Sequence, residues 1–92
     1  MPSDGPEAKS LLTFPTEFPI KVMGRREEGY AQAILEVVLR HAPDYDPATM
    51  EMRPSKAGTY LSLTVTINAR SREQLDALYK DLSGHPMVTM VL

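Results

Sequence analysis

The chain has 92 residues, enough for one domain and too few for a second core. Its 42% hydrophobic and 24% charged residues are those of a globular domain with a solvated surface, and its formal net charge of −2 gives no field that favours nucleic acid or an anionic membrane. The lack of cysteine excludes disulfide scaffolds, thiolate metal sites, iron–sulfur clusters and thiol catalysis, and fits a cytoplasmic location.

Residues 1–10 combine Pro, Gly and charge without periodicity, so a disordered N-terminal tail is expected there, with 11–92 as the folded domain. The polar, acidic start is unlike a secretory signal, and no apolar run approaches the roughly 18–20 residues that span a bilayer. Leu11, Leu12 and Phe14 then supply an apolar patch. Ile20-Lys21-Val22-Met23-Gly24 alternates with period two, which predicts a first strand ended by Gly24. The period becomes helical between Arg26 and Ala42, where Tyr30, Ile34, Val37, Val38 and His41 share one side. Glu27 and Glu28 are expected in its first turn and Arg40 and His41 in its last, the order the helix dipole favours, with Pro43 as the stop.

Thr49 to Pro54 alternates again, and Lys56-Ala57-Gly58 reads as a hairpin turn. Tyr60 to Asn68 alternates without a fault, which turns Leu61, Leu63, Val65 and Ile67 toward a core. Ser71 and Gln74 have the spacing of a capping box for a second helix with Leu75, Leu78 and Leu82 at its seam, ended by Gly84 and Pro86. Met87 to Leu92 is the expected last strand.

The order β-α-β-β-α-β defines an α+β, ferredoxin-like plan. Right-handed crossovers place both helices on one face of a four-stranded antiparallel sheet in the order 4-1-3-2. Strand two carries Glu51, Arg53 and Pro54, which discourage edge pairing. Strand four has no charge, so pairing with another subunit, or cover from Leu11–Phe14, is expected.

Two places are candidates for function. Gly24, Arg25 and Arg26 precede the first helix, where backbone N–H groups and two guanidiniums suit a carboxylate or phosphate ligand; the plainer alternative is a solvated loop beside Glu27 and Glu28. The sheet face away from the helices carries Lys21, Met23, Tyr60, Ser62, Thr64 and Thr66, a mixed surface suited to protein contact or a two-fold sheet-to-sheet dimer. Only Tyr60 stands where RNA-recognition modules pair aromatics, which argues against nucleic acid. Asn68 with Arg25 or Arg26 would echo an acylphosphatase-like phosphate hydrolase, although Asn at a strand end commonly turns the chain. His41 reads as a helix C-terminal cation and His85 as an exposed loop residue, without metal-ligand spacing. Asp44, Asp46 and Glu51 lack the spacing of a calcium loop. No catalytic residue, metal or cofactor is expected.

Several segments together carry a resemblance: Thr13-Phe14-Pro15-Thr16-Glu17-Phe18-Pro19-Ile20-Lys21-Val22-Met23-Gly24, His41-Ala42-Pro43, Pro54-Ser55-Lys56-Ala57-Gly58-Thr59-Tyr60, Thr64-Val65-Thr66-Ile67-Asn68-Ala69 and Val88-Thr89-Met90-Val91-Leu92. Over essentially everything after residue 10, the chain resembles the YbeD-like family of small bacterial proteins. The resemblance implies an ACT-like fold and a regulatory or adaptor role. It further implies a homodimer with a small-molecule effector at its interface and a link to lipoate metabolism; a ligand-free protein-interaction module is the alternative. ACT effector sites usually carry an Asp-x-Pro-Gly turn after the first strand, where this chain reads Met23-Gly24-Arg25-Arg26.

Overall fold

A computed structural model describes residues 13–92, so the tail expected over 1–10, and Leu11 and Leu12, lie outside it. The elements are strand β1 (Thr16–Arg25), helix α1 (Tyr30–His41), a single 3-10 turn (Pro47–Thr49), strand β2 (Glu51–Pro54), strand β3 (Tyr60–Ala69), helix α2 (Arg72–Ser83) and strand β4 (Val88–Val91). The strands form one antiparallel sheet in the order β2-β3-β1-β4, which is the expected 4-1-3-2 arrangement.

Alternation in the two central strands decides where the core lies. Ile20 and Val22 of β1 and Leu63, Val65 and Ile67 of β3 are buried on one face, against Tyr30, Ile34, Val37 and Val38 of α1 and Leu75, Leu78 and Leu82 of α2. Each buried aliphatic side chain contributes about 1.5–3 kcal/mol relative to exposure, so this single layer of helix on sheet holds the fold together. At one corner Phe18 meets Tyr79 edge to face, with centroids 6.5 Å apart. Phe14 packs half-buried against the same core.

β1 is longer than the sequence pattern predicts at both ends. It starts at Thr16 and runs through Pro19, a residue that normally ends a ladder. Lys21 exchanges both backbone hydrogen bonds with Leu92, so Pro19, two residues earlier, points its nitrogen to that same side. The β4 register starts only at Val22, so Pro19 sits on a free stretch of edge and forfeits no hydrogen bond there.

At its other end β1 does not stop at Gly24. Gly24 is buried within the strand, at an irregularity in the pairing with β4. A Cβ there would fall on the Met87 carbonyl oxygen and within 2.7 Å of the Tyr30 ring. Close approach, rather than a turn, requires the glycine.

Helix α1 begins at Tyr30, four residues later than the pattern predicts, and its first turn holds no acid. Gly29 explains the delay. Its φ of +86° is left-handed, so the helix cannot extend back through it, and Glu27 and Glu28 stay in the connecting loop. For α2 the predicted cap is present: the Ser71 hydroxyl accepts from the Gln74 N–H at 3.1 Å. The Gln74 side chain does not close the box on Ser71 but accepts from Arg70 N–H at 2.6 Å and donates to the His41 carbonyl at 2.8 Å. Gln74 thereby ties the start of α2 to the end of α1.

Candidate functional site

The face of the sheet opposite the helices is uncovered among the described residues, and register fixes what it displays. Lys21 pairs with Thr64, Met23 with Ser62, Arg25 with Tyr60 and Pro19 with Thr66. On the far side of β3, Glu51 pairs with Thr64 and Arg53 with Ser62. On the far side of β1, Met90 pairs with Met23 and Leu92 exchanges hydrogen bonds with Lys21. All six residues read as a surface from the sequence (Lys21, Met23, Tyr60, Ser62, Thr64 and Thr66) therefore share one face. The sequence reading missed Glu51, Arg53, Met90 and Leu92, which the register adds to it.

This face is not flat. A hollow of about 230 Å³ lies over Lys21, Glu51, Met52, Arg53, Ser62 and Thr64. A second, of about 290 Å³, adjoins it over Lys21, Met23, Arg53, Tyr60, Ser62 and Leu92. Lys21, Arg53 and Ser62 belong to both, so a polar hollow and a more apolar one share a cationic wall. Thr66 lines neither. Three of the large apolar side chains exposed on the protein stand on this face: Tyr60 at 42%, Met90 at 48% and Leu92 at 61%. Among the described residues Met52 is also exposed, at 59%; it sits on edge strand β2 opposite Leu63, which points into the core, and borders the first hollow.

The predicted anion element is arranged differently from the sequence reading. Gly24 and Arg25 belong to β1, and the Arg26 N–H donates to the Thr59 carbonyl at 2.8 Å, extending the pairing with the β2–β3 hairpin. Arg25 lies 3.9 Å from Glu27, with both side chains well exposed, an ion pair of little energetic weight. Helix α1 starts beyond Gly29, so its first amides are not adjacent to Gly24. Asn68 is opposite Glu17, eight positions along β1 from Arg25, or roughly 26 Å at strand rise. The structure does not bring Asn68 together with Arg25 or Arg26.

Both histidines have structural partners. His41 Nε2 is 2.5 Å from Asp81 Oδ2, linking the end of α1 to α2, and Arg40 lies 3.6 Å from the same oxygen. That hydrogen bond, followed by the nearby positive charges, holds the Asp81 carboxyl below its ordinary range. His85 is half-buried rather than exposed, and its Nδ1 accepts from the Met87 N–H at 3.1 Å. Asp44 pairs with Arg70 and Asp46 caps the 3-10 turn. Among the described residues no group of three or more His, Asp or Glu is placed to hold a metal ion, and no helix is long and apolar enough to cross a membrane.

With the site on the page, comparison with known proteins gives a family. Residues 9–92 match the model of the family described as "Protein of unknown function (DUF493)". The chain belongs to this family. It is 58% identical over 87 residues to the UPF0250 protein of Bordetella pertussis, covering 95% of this chain and 96% of that one. It is 56% identical over 89 residues to the UPF0250 protein of Leptothrix cholodnii, covering 97% and 98%. These DUF493/UPF0250 relatives bear out the YbeD-like resemblance in the sequence. The ACT domain from GTP pyrophosphokinase of Chlorobium tepidum is similar in structure, with a TM-score of 0.57 over 84% of this chain and 97% of that one. At 20% sequence identity that likeness concerns the fold alone, which is ACT-like.

Proposed function

We propose that this DUF493 family member is a non-enzymatic regulatory or adaptor module of the cytoplasm, and that it works by binding another protein through the open face of its sheet. One observation carries the reading: Tyr60, Met90 and Leu92 are 42%, 48% and 61% exposed on a single uncovered face, interspersed with Lys21, Arg25 and Arg53. Exposed aromatic and Met side chains beside arginine are the composition of protein interfaces. Structural roles for both histidines, and the separation of Asn68 from Arg25, support a binding role over hydrolysis.

A second reading has its own support. The hollow of about 290 Å³ is at the lower limit of small-molecule sites, which start near ~300 Å³, and Lys21, Arg53 and Ser62 could hold an acidic group there. A two-fold, sheet-to-sheet homodimer would roof that hollow and make an ACT-like effector site, for which carboxylic acids related to lipoate are the first compounds to try.

Solution mass across a hundredfold concentration range, with thermal stability measured alongside, separates the two readings. A dimer that Met23→Asp converts to a monomer, and that metabolites stabilise against heat, favours the effector site. A wild-type monomer indifferent to metabolites leaves a different protein as the partner. A dimer unaffected by Met23→Asp and Tyr60→Asp together would sink the sheet-to-sheet effector site, and partner capture unaffected by the same double change would sink the docking reading.

A further inference from the structure

The charge on this molecule is unevenly placed. Of its ten Lys and Arg residues, Lys21, Arg25, Arg26, Arg53 and Lys56 gather on the open face and at the hairpin end of the sheet, although the chain as a whole carries −2. Arg25 has a loose ion pair with Glu27; among the described residues Lys21, Arg26, Arg53 and Lys56 have no acidic oxygen within 4.0 Å. Cations left without acidic partners at one end of an acidic protein are a surface complementary to negative charge.

Their spacing narrows what the negative partner is. Along β1, the open face reads Lys21, Met23, Arg25: cation, apolar, cation at two-residue steps, each about 6.6–6.8 Å at strand rise. Tyr60 lies directly opposite Arg25, and Leu92 exchanges hydrogen bonds with Lys21, so apolar contacts flank the row on both sides. An extended peptide repeats its side chains on one face at the same interval. The matching sequence has an acidic residue, an apolar residue two positions later and a second acidic residue two positions after that.

A single small anion spans neither the ~13 Å from Lys21 to Arg25 nor the apolar residue between them. Nucleic acid would match the cations, but Glu51 lies in the same row as Lys21, across Thr64, and Glu27 stands beside Arg25, where a continuous polyanion meets repulsion.

We propose that the open face docks an extended segment of a partner protein with the pattern acid-x-apolar-x-acid, its acids on Lys21 and Arg25 and its apolar side chain between Met23 and Tyr60. This rests on the reading of the open face as a protein-docking surface and adds the chemistry of the occupant.

The test is selection from a random peptide library on the full-length protein, with affinities of selected peptides measured by fluorescence anisotropy at low and high salt. The expected result is enrichment of acid-x-apolar-x-acid, binding that weakens with salt, and at least a tenfold loss in Arg25→Glu. The Lys21→Glu, Arg25→Glu double variant should reverse the selection and enrich basic residues at the two outer positions. Enrichment of neutral or basic peptides by the wild type, or no enrichment, overturns the proposal. Single-stranded DNA binding more tightly than any peptide also overturns it. If selected peptides cross-link to the solvent side of α1 or α2 and not next to Tyr60, the docking surface itself is elsewhere, and the underlying reading fails with it. If they bind at Tyr60 without the acidic pattern, only the occupant is wrong.

Discussion

The ring of Tyr30 lies against Gly24, close enough that any side chain at position 24 would collide with it. The Tyr30 hydroxyl donates to the Val22 carbonyl at 3.1 Å, and burial pushes its pKa up to about 12. The first residue of α1 is thus pinned to the strand that carries the open face. Gly24→Ala should destabilise the protein by about 1–3 kcal/mol through overpacking against backbone, read as a lower denaturant midpoint. Tyr30→Phe should cost about 0.5–1.5 kcal/mol, the net worth of one buried hydrogen bond, because the Val22 carbonyl keeps its place in the ladder opposite Leu63.

Gln74 joins two helix ends with one side chain, accepting from Arg70 and donating to His41. Gln74→Leu keeps similar bulk and loses both bonds, so a destabilisation of about 1–3 kcal/mol is expected by chemical denaturation. Ser71→Ala removes only the cap and should cost about 1 kcal/mol. Equal effects from the two variants would contradict the bridging role of Gln74.

Tyr45 is buried with its hydroxyl unpartnered among the described residues. An unsatisfied polar atom in a core costs stability, so Tyr45→Phe should be neutral or raise stability by up to ~1–2 kcal/mol. A large loss in thermal midpoint would show that the hydroxyl has a partner.

Asp81 supplies a pH dependence whose sign is fixed. Its carboxyl pKa in the folded state is depressed, chiefly by the His41 hydrogen bond, below the ordinary 3.8. The stabilisation is therefore complete well above that value and is lost as pH falls through the folded pKa. Asp81→Asn should flatten the decline in urea midpoint on the acid side of pH 4 and leave the remaining carboxylates' share of it. An unchanged acid limb would remove Asp81 from the account.

The plan of the fold was legible because period-two and helical runs alternate cleanly and crossover handedness leaves one strand order for this pattern. The open face was legible for a related reason: alternation in β3 sends Tyr60, Ser62, Thr64 and Thr66 the same way whatever the boundaries of the strand. Local punctuation was less readable. Gly24 carries the same one-letter signal whether it turns a chain or lets a ring approach, and only the placement of Tyr30 distinguishes these. Gly29 hides a similar ambiguity, since a glycine after two glutamates reads as a weak helix residue until its φ is known. That Pro19 lies inside β1 is not legible either, because nothing in the sequence reveals that β4 stops short of it. The place of Glu51, Arg53, Met90 and Leu92 beside Lys21 and Met23 depends on strand register, which no single segment contains.

The central claim is that the open sheet face is where this protein meets its partner, and its methionines can report on that directly. Met90 is 48% exposed on the open face and Met52 59% exposed on edge strand β2, and Met23 stands beside Met90. With methionine methyl groups carbon-13 labelled, attenuation of their NMR signals by an inert gadolinium chelate should be strong for both Met90 and Met52 in the isolated protein. In the complex, or in the concentrated homodimer, Met90 and Met23 should become protected while Met52 stays attenuated. Protection of Met52 with Met90 unchanged would contradict the account, and would put the working surface on the outer edge of β2 instead.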